Sequence, residues 1–143
     1  QARAHVGVLM REEEFEKWLI DRDDRSDAEV AAERVKGHLV LAQRNLESYL
    51  FSDEILCVLC VSVGKPEVAN EIITVCSDTI SSKGGAIDDF KAAAGKTYVA
   101  CKKLLDHVKP GNNAKVFMCE KLAPPVTAET ETFKQLRYDI FGI

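Results

Sequence analysis

The sequence predicts an all-α fold: a compact bundle of six or seven helices around a central apolar helix at about residues 53–63. Three observations predict it. Apolar residues recur at 3.6-residue spacing along most of the chain. The 4 prolines and 8 glycines are few and cluster at what read as joints. The run 55–63 is apolar on every side apart from Ser62, as a helix surrounded by others should be. A chain of 143 residues buries about 70% of its unfolded surface, which suits one core. Residues 1–143 are therefore expected to form a single helical domain. Its start at Gln1 and its end close after a helical pattern suit a piece excised from a larger protein.

The elements follow in order. A first helix is expected over 8–21, with Phe15, Trp18 and Leu19 on one face and Glu12, Glu13 and Glu16 off it. Ser26-Asp27-Ala28-Glu29 fits a capping box. Behind it Ala28, Ala31, Val35, Leu39, Ala42, Leu46, Tyr49 and Leu50 hold close to one stripe, so a single long helix of about 25 residues, ~37 Å, is expected to reach Phe51. Ser52-Asp53 caps the central helix, and Gly64-Lys65-Pro66 ends it. Pro66 suits the first turn of the next helix, faced by Val68, Ile72, Val75, Cys76 and Ile80 and stopped at 81–85. A fifth helix over 88–108 carries Phe90, Ala94, Thr97, Cys101, Leu104, Leu105 and Val108. The segment 109–113 is a loop. A short helix holds Val116, Phe117 and Leu122, Pro124-Pro125 breaks it, and a last helix from about Thr127 presents Phe133, Leu136 and Ile140 before Gly142.

Composition excludes several classes. Hydrophobic residues make up 46% and charged residues 29%, which rules out disorder of the whole chain. A net charge of −4 argues against a domain built mainly to grip a phosphate backbone. Ten acids crowd into 11–33 against four bases, whereas eight lysines face four acids over 83–121. No stretch reaches the roughly 18–20 apolar residues of a membrane span, and no secretory signal pattern opens the chain. Cys57, Cys60, Cys76, Cys101 and Cys119 are an odd number within apolar runs, where cysteine behaves as a small hydrophobe. An intracellular, reducing compartment (cytoplasmic or nuclear) is expected.

The motifs that could carry chemistry fall short of their requirements. Gly95-Lys96-Thr97 lacks the earlier glycine of a phosphate-binding loop, Phe90 standing in its place, and lacks a preceding strand. Cys57 and Cys60 form a Cys-x-x-Cys embedded in Leu and Val. A redox pair wants an exposed helix N-terminus, and a zinc site wants a second close pair. His5, His38 and His107 lie far apart, and no nucleophile signature surrounds a serine or cysteine. No catalytic residue, metal site or cofactor is assigned.

Two groups of residues remain as candidate contacts. Val30, Gly37 and Leu41 project nearly opposite the main stripe of the expected long helix, with Val40 nearby and Ser48 continuing the line. Either the helix is sandwiched within the fold or this second strip meets a partner, Gly37 admitting another backbone. The tail residues Phe133, Leu136 and Ile140 form the other candidate. The function expected is a non-enzymatic protein–protein interaction or assembly domain, an adapter or scaffold able to self-associate, with a protein partner or a second copy of itself. One alternative is weak nucleic-acid or anionic-lipid binding through Lys91, Lys96, Lys102, Lys103 and Lys109, whose ordinary role is to border a core helix. The other is an enzyme or ligand carrier whose site is assembled from distant residues.

Overall fold

The computed structural model describes residues 19–105 and 113–143. Seven α-helices and one pair of two-residue strands make up the described chain, an all-α fold. In order they are β1 (Leu19–Ile20), α1 (Asp27–Val35), β2 (Leu39–Val40), α2 (Glu47–Leu50), α3 (Asp53–Ser62), α4 (Ala69–Ser82), α5 (Phe90–Leu104), α6 (Ala114–Phe117) and α7 (Glu131–Phe141). A 3-10 turn, Pro66–Val68, leads into α4, and a π-helical turn, Met118–Leu122, follows α6.

The capping box forms as the sequence predicts. The Glu29 N–H donates to Ser26 Oγ at 3.3 Å and the Ser26 N–H donates to Glu29 Oε2 at 2.7 Å. The helix it opens is short, however. Where a single helix to Phe51 was expected, α1 stops at Val35 and Gly37 turns left-handed at φ 92°. A side chain is strained there, whereas glycine is not. The chain then runs extended through β2, which pairs in parallel with β1 in the register Leu19↔Leu39 and Ile20↔Val40. The helix expected over 8–21 is likewise replaced at its described end by β1; its residues 8–18 lie outside the described residues.

Arg44 ties this irregular region to the bundle. Its carbonyl accepts the Asp23 N–H at 2.8 Å, while its guanidinium reaches Asp24 at 2.6 Å and Asp88 at 3.2 Å. Ser48 Oγ donates to the Asp88 carbonyl at 2.8 Å, so both α2 and the segment before it are tied to the segment before α5.

The central helix is α3, capped by Ser52, and it touches α2, α4, α7 and both irregular turns. Ile55, Leu56, Leu59 and Cys60 are buried, but Val61 is 64% exposed, so α3 is covered on most sides rather than all round. Helices α4 and α5 form the most extensive pair. Phe117 from α6 closes the core, its ring 5.7 Å from Tyr98 and 6.4 Å from Phe51. A fully buried side chain of this kind stabilises the fold by about 1.5–3 kcal/mol.

Candidate protein-interaction site

An open groove of about 490 Å³ lies between the β2 segment and the C-terminal end of α7. Arg34, Gly37, His38 and Leu39 form one wall, and Tyr138, Asp139 and Ile140 the other. Two local features place these walls. The left-handed turn at Gly37 swings His38 and Leu39 away from the α1 axis. Helix α7 is fixed at its start by Thr130, whose Oγ1 accepts the Phe133 N–H at 3.2 Å, and ends at Gly142 with φ 71°.

Arg34, His38 and Asp139 in the groove are engaged by their own chain. Glu33 Oε2 lies 2.5 Å from His38 Nδ1, and Glu33 Oε1 accepts from Lys36 at 2.9 Å. The Lys36 ammonium and then the His38 ring hold the Glu33 carboxyl below its ordinary range. Asp139 accepts from Tyr49 Oη on one oxygen and from Gln135 Nε2, at 2.8 Å, on the other. Tyr49 Oη in turn accepts the Gln43 N–H at 3.3 Å. Burial, and after it the Asp139 carboxylate, push the Tyr49 phenol well above its ordinary value. Arg34 Nη2 reaches the Val40 carbonyl at 3.4 Å. The groove's apolar walls can hold a chain segment.

Its surroundings are apolar and open. Among the described residues eight large hydrophobics are exposed. Tyr138, at 63%, lines the groove, and Val35 at 88%, Phe141 at 38% and Ile143 at 74% stand next in the chain to residues that line it. A second, more apolar depression of about 420 Å³ lies between α4 and the start of α5, lined by Ile73, Cys76, Ile80 and Phe90.

The candidate residues are redistributed. Val30 and Leu41 are 4% and 1% exposed, so the expected second strip is interior to the chain rather than a surface. Its geometry is corrected with the helix that carried it, because Val30 lies on α1 and Leu41 follows β2. Gly37 lines the groove, and so does Ile140 from the tail group, which brings together residues that the sequence placed in separate candidates. Phe133 and Leu136 are half-buried on α7. Lys91, Lys96, Lys102 and Lys103 are exposed along α5, and Lys109 lies outside the described residues. Tyr138 was missed because single-sequence periodicity puts it on the polar side of α7. Its signal was an aromatic among charged neighbours.

All five cysteines are free thiols. Cys60, Cys76 and Cys101 are buried, Cys57 half-buried and Cys119 exposed. Among the described residues no cluster of three His, Cys, Asp or Glu side chains could hold a metal ion, and no helix is long and apolar enough to cross a membrane. Comparison of the chain with protein-family models, with curated proteins and with solved structures finds no match.

Proposed function

We propose that this chain is a non-enzymatic protein-interaction or assembly domain that self-associates through the groove between β2 and α7. The observation that carries the proposal is the exposure of Tyr138 on the wall of that groove, with Val35, Phe141 and Ile143 exposed at positions next in the chain to residues that line it. Tyrosine is among the residues enriched at the energetic centres of protein contact sites. The engagement of Arg34, His38 and Asp139 by their own chain supports contact rather than catalysis. Free thiols, three of them buried, support a reducing compartment.

Light scattering over a wide range of protein concentration, with wild type and Tyr138→Glu side by side, tests this. The wild-type mass should climb towards that of two chains, and the variant should stay at one chain with its melting temperature unchanged. A wild-type mass fixed at one chain throughout rejects self-association. Equal association of both proteins moves the contact away from the groove.

A further inference from the structure

The outer face of α5 carries lysines and no acid. Its inner face, Ala93, Ala94, Thr97, Tyr98 and Cys101, is buried against the core, while Lys91, Gly95, Lys96, Val99, Lys102 and Lys103 are exposed. At about 100° per residue, Lys91 and Lys102 fall on one edge of that face and Lys96 and Lys103 on the other. Gly95 and Val99 lie between the two edges, and Val99 is 59% exposed.

Two further observations single this face out. No acid occurs between Phe90 and Leu104, and none of these four lysines makes an ion pair among the described residues. The acids around α1 differ. Asp23 pairs with Arg25, Asp24 with Arg44, Asp27 with Arg22, and Glu33 with Lys36. A chain of net charge −4 thus presents, among its described residues, a face of four lysines without an ion pair, of which Lys91 alone acts on a nearby carboxylate, that of Asp21. The other observation is Gly95 itself. Glycine inside a helix is destabilising relative to alanine, yet a Cβ at Gly95 would meet nothing within 4 Å. Packing among the described residues therefore gives no reason for glycine there, whereas close approach of an outside backbone does.

We infer that the outer face of α5 is a docking seam for an acidic amphipathic helix of a partner protein. The partner's apolar stripe would lie over Gly95 and Val99, and acids flanking that stripe would meet the two lysine edges. This is the arrangement by which charged flanks select partners in paired helices. A phosphate backbone would satisfy the lysines but leave Gly95 and Val99 without a role, and the face has no arginine or aromatic residue for reading bases. An anionic membrane would want larger apolar side chains than valine at the centre. The inference does not depend on the groove between β2 and α7.

The test uses the whole chain and a synthetic helical peptide of about 20 residues, ~30 Å, long enough to cover α5. The peptide carries leucine along one stripe and glutamate on both flanks. Wild type should bind it, and Lys96→Glu with Lys103→Glu should abolish binding while helical circular dichroism is retained. Gly95→Ala should raise the melting temperature yet weaken peptide binding about tenfold, the usual scale for overpacking a close contact. Val99→Ser should weaken the peptide and leave any affinity for a DNA duplex or phosphatidylserine vesicles unchanged. Tyr138→Glu should bind the peptide as wild type does. The inference is overturned if the peptide does not bind, if Gly95→Ala and Val99→Ser bind it normally, or if duplex or vesicles bind more tightly than the peptide.

Discussion

The carboxylate of Glu54 on α3 holds Thr132 at the first turn of α7. Oε1 accepts both the Thr132 N–H at 2.8 Å and its hydroxyl at 2.7 Å, and Oε2 accepts the Glu131 N–H at 2.9 Å. The central helix thereby supplies a cap to a helix more than 70 residues later in the chain, in addition to the local cap from Thr130.

Glu54→Gln should cost about 1–2 kcal/mol, the range of a cap made by charge-assisted hydrogen bonds. Burial alone would raise the Glu54 pKa, but the hydrogen bonds from Thr132 and Glu131 outweigh it and hold the carboxyl below its ordinary 4.5. A depressed folded-state value means the contribution is complete above pH 4.5 and is lost as pH falls through the lowered value. Urea titrations should find the gap between wild type and variant widest near neutrality and closing in acid.

Tyr49→Phe removes the donor to Asp139 and the acceptor for the Gln43 N–H within a side chain only 1% exposed. The expected loss is about 1–3 kcal/mol. Because the folded protein holds the phenolic proton more tightly than the unfolded chain, this contribution is complete below pH 10 and declines as pH rises above it. An alkaline fall in stability should therefore be steeper in wild type than in the variant.

Leu41→Glu puts a carboxylate where the side chain is 1% exposed. It should lower stability by more than about 3 kcal/mol. Tyr138→Glu, at a position 63% exposed, should change it by less than about 0.5 kcal/mol. Thermal melts of the two proteins separate an interior position from a surface one, and equal melting temperatures would contradict the packing described above.

Two glycines should respond to alanine with opposite signs. Gly37 sits at φ 92°, so Gly37→Ala should destabilise by about 1–2 kcal/mol through left-handed strain. Gly95 is inside α5 with open space above it, so Gly95→Ala should stabilise by about 0.5–1 kcal/mol. Chemical denaturation of both variants measures the pair.

A thiol reagent should label Cys119 first and leave Cys60, Cys76 and Cys101 until the protein unfolds. Cys119 is exposed, whereas burial pushes the Cys101 thiol up to about 12 and also raises Cys60 and Cys76. Cys57→Ala with Cys60→Ala should cost no more than about 3 kcal/mol, as small core truncations do, and chelators should leave the melting temperature unchanged. Mass spectrometry of the partly labelled protein reads the order of reaction.

Most of the helical plan was legible in the residues themselves. The Ser26–Glu29 box, the Ser52 cap, the Pro66 turn and Gly142 at the end of α7 are decided within a few positions of each residue, because caps and stops satisfy local backbone groups. The stripe Ala94, Thr97, Cys101 and Leu105 is buried as its spacing implies. The same spacing misled across 36–46. A stripe running from Ala28 to Leu50 fits one helix on paper, while Gly37 in its middle carried the opposite signal. The pairing of Leu39 with Leu19 depends on a segment twenty residues away, which helical periodicity does not report.

The groove belonged wholly to the tertiary structure. Arg34 to Ala42 and Tyr138 to Gly142 meet across about 100 residues of chain, and no local pattern states that α7 ends against β2. Sequence alone determined which residues want to be buried and where helices begin and stop, since those depend on side-chain transfer and nearby backbone hydrogen bonds. Which apolar residues found partners inside the fold, as Val30 and Leu41 did, and which were left outside it, as Tyr138 and Val99 were, was decided only when the helices packed. Burial is a relation between distant surfaces and not a property of either one.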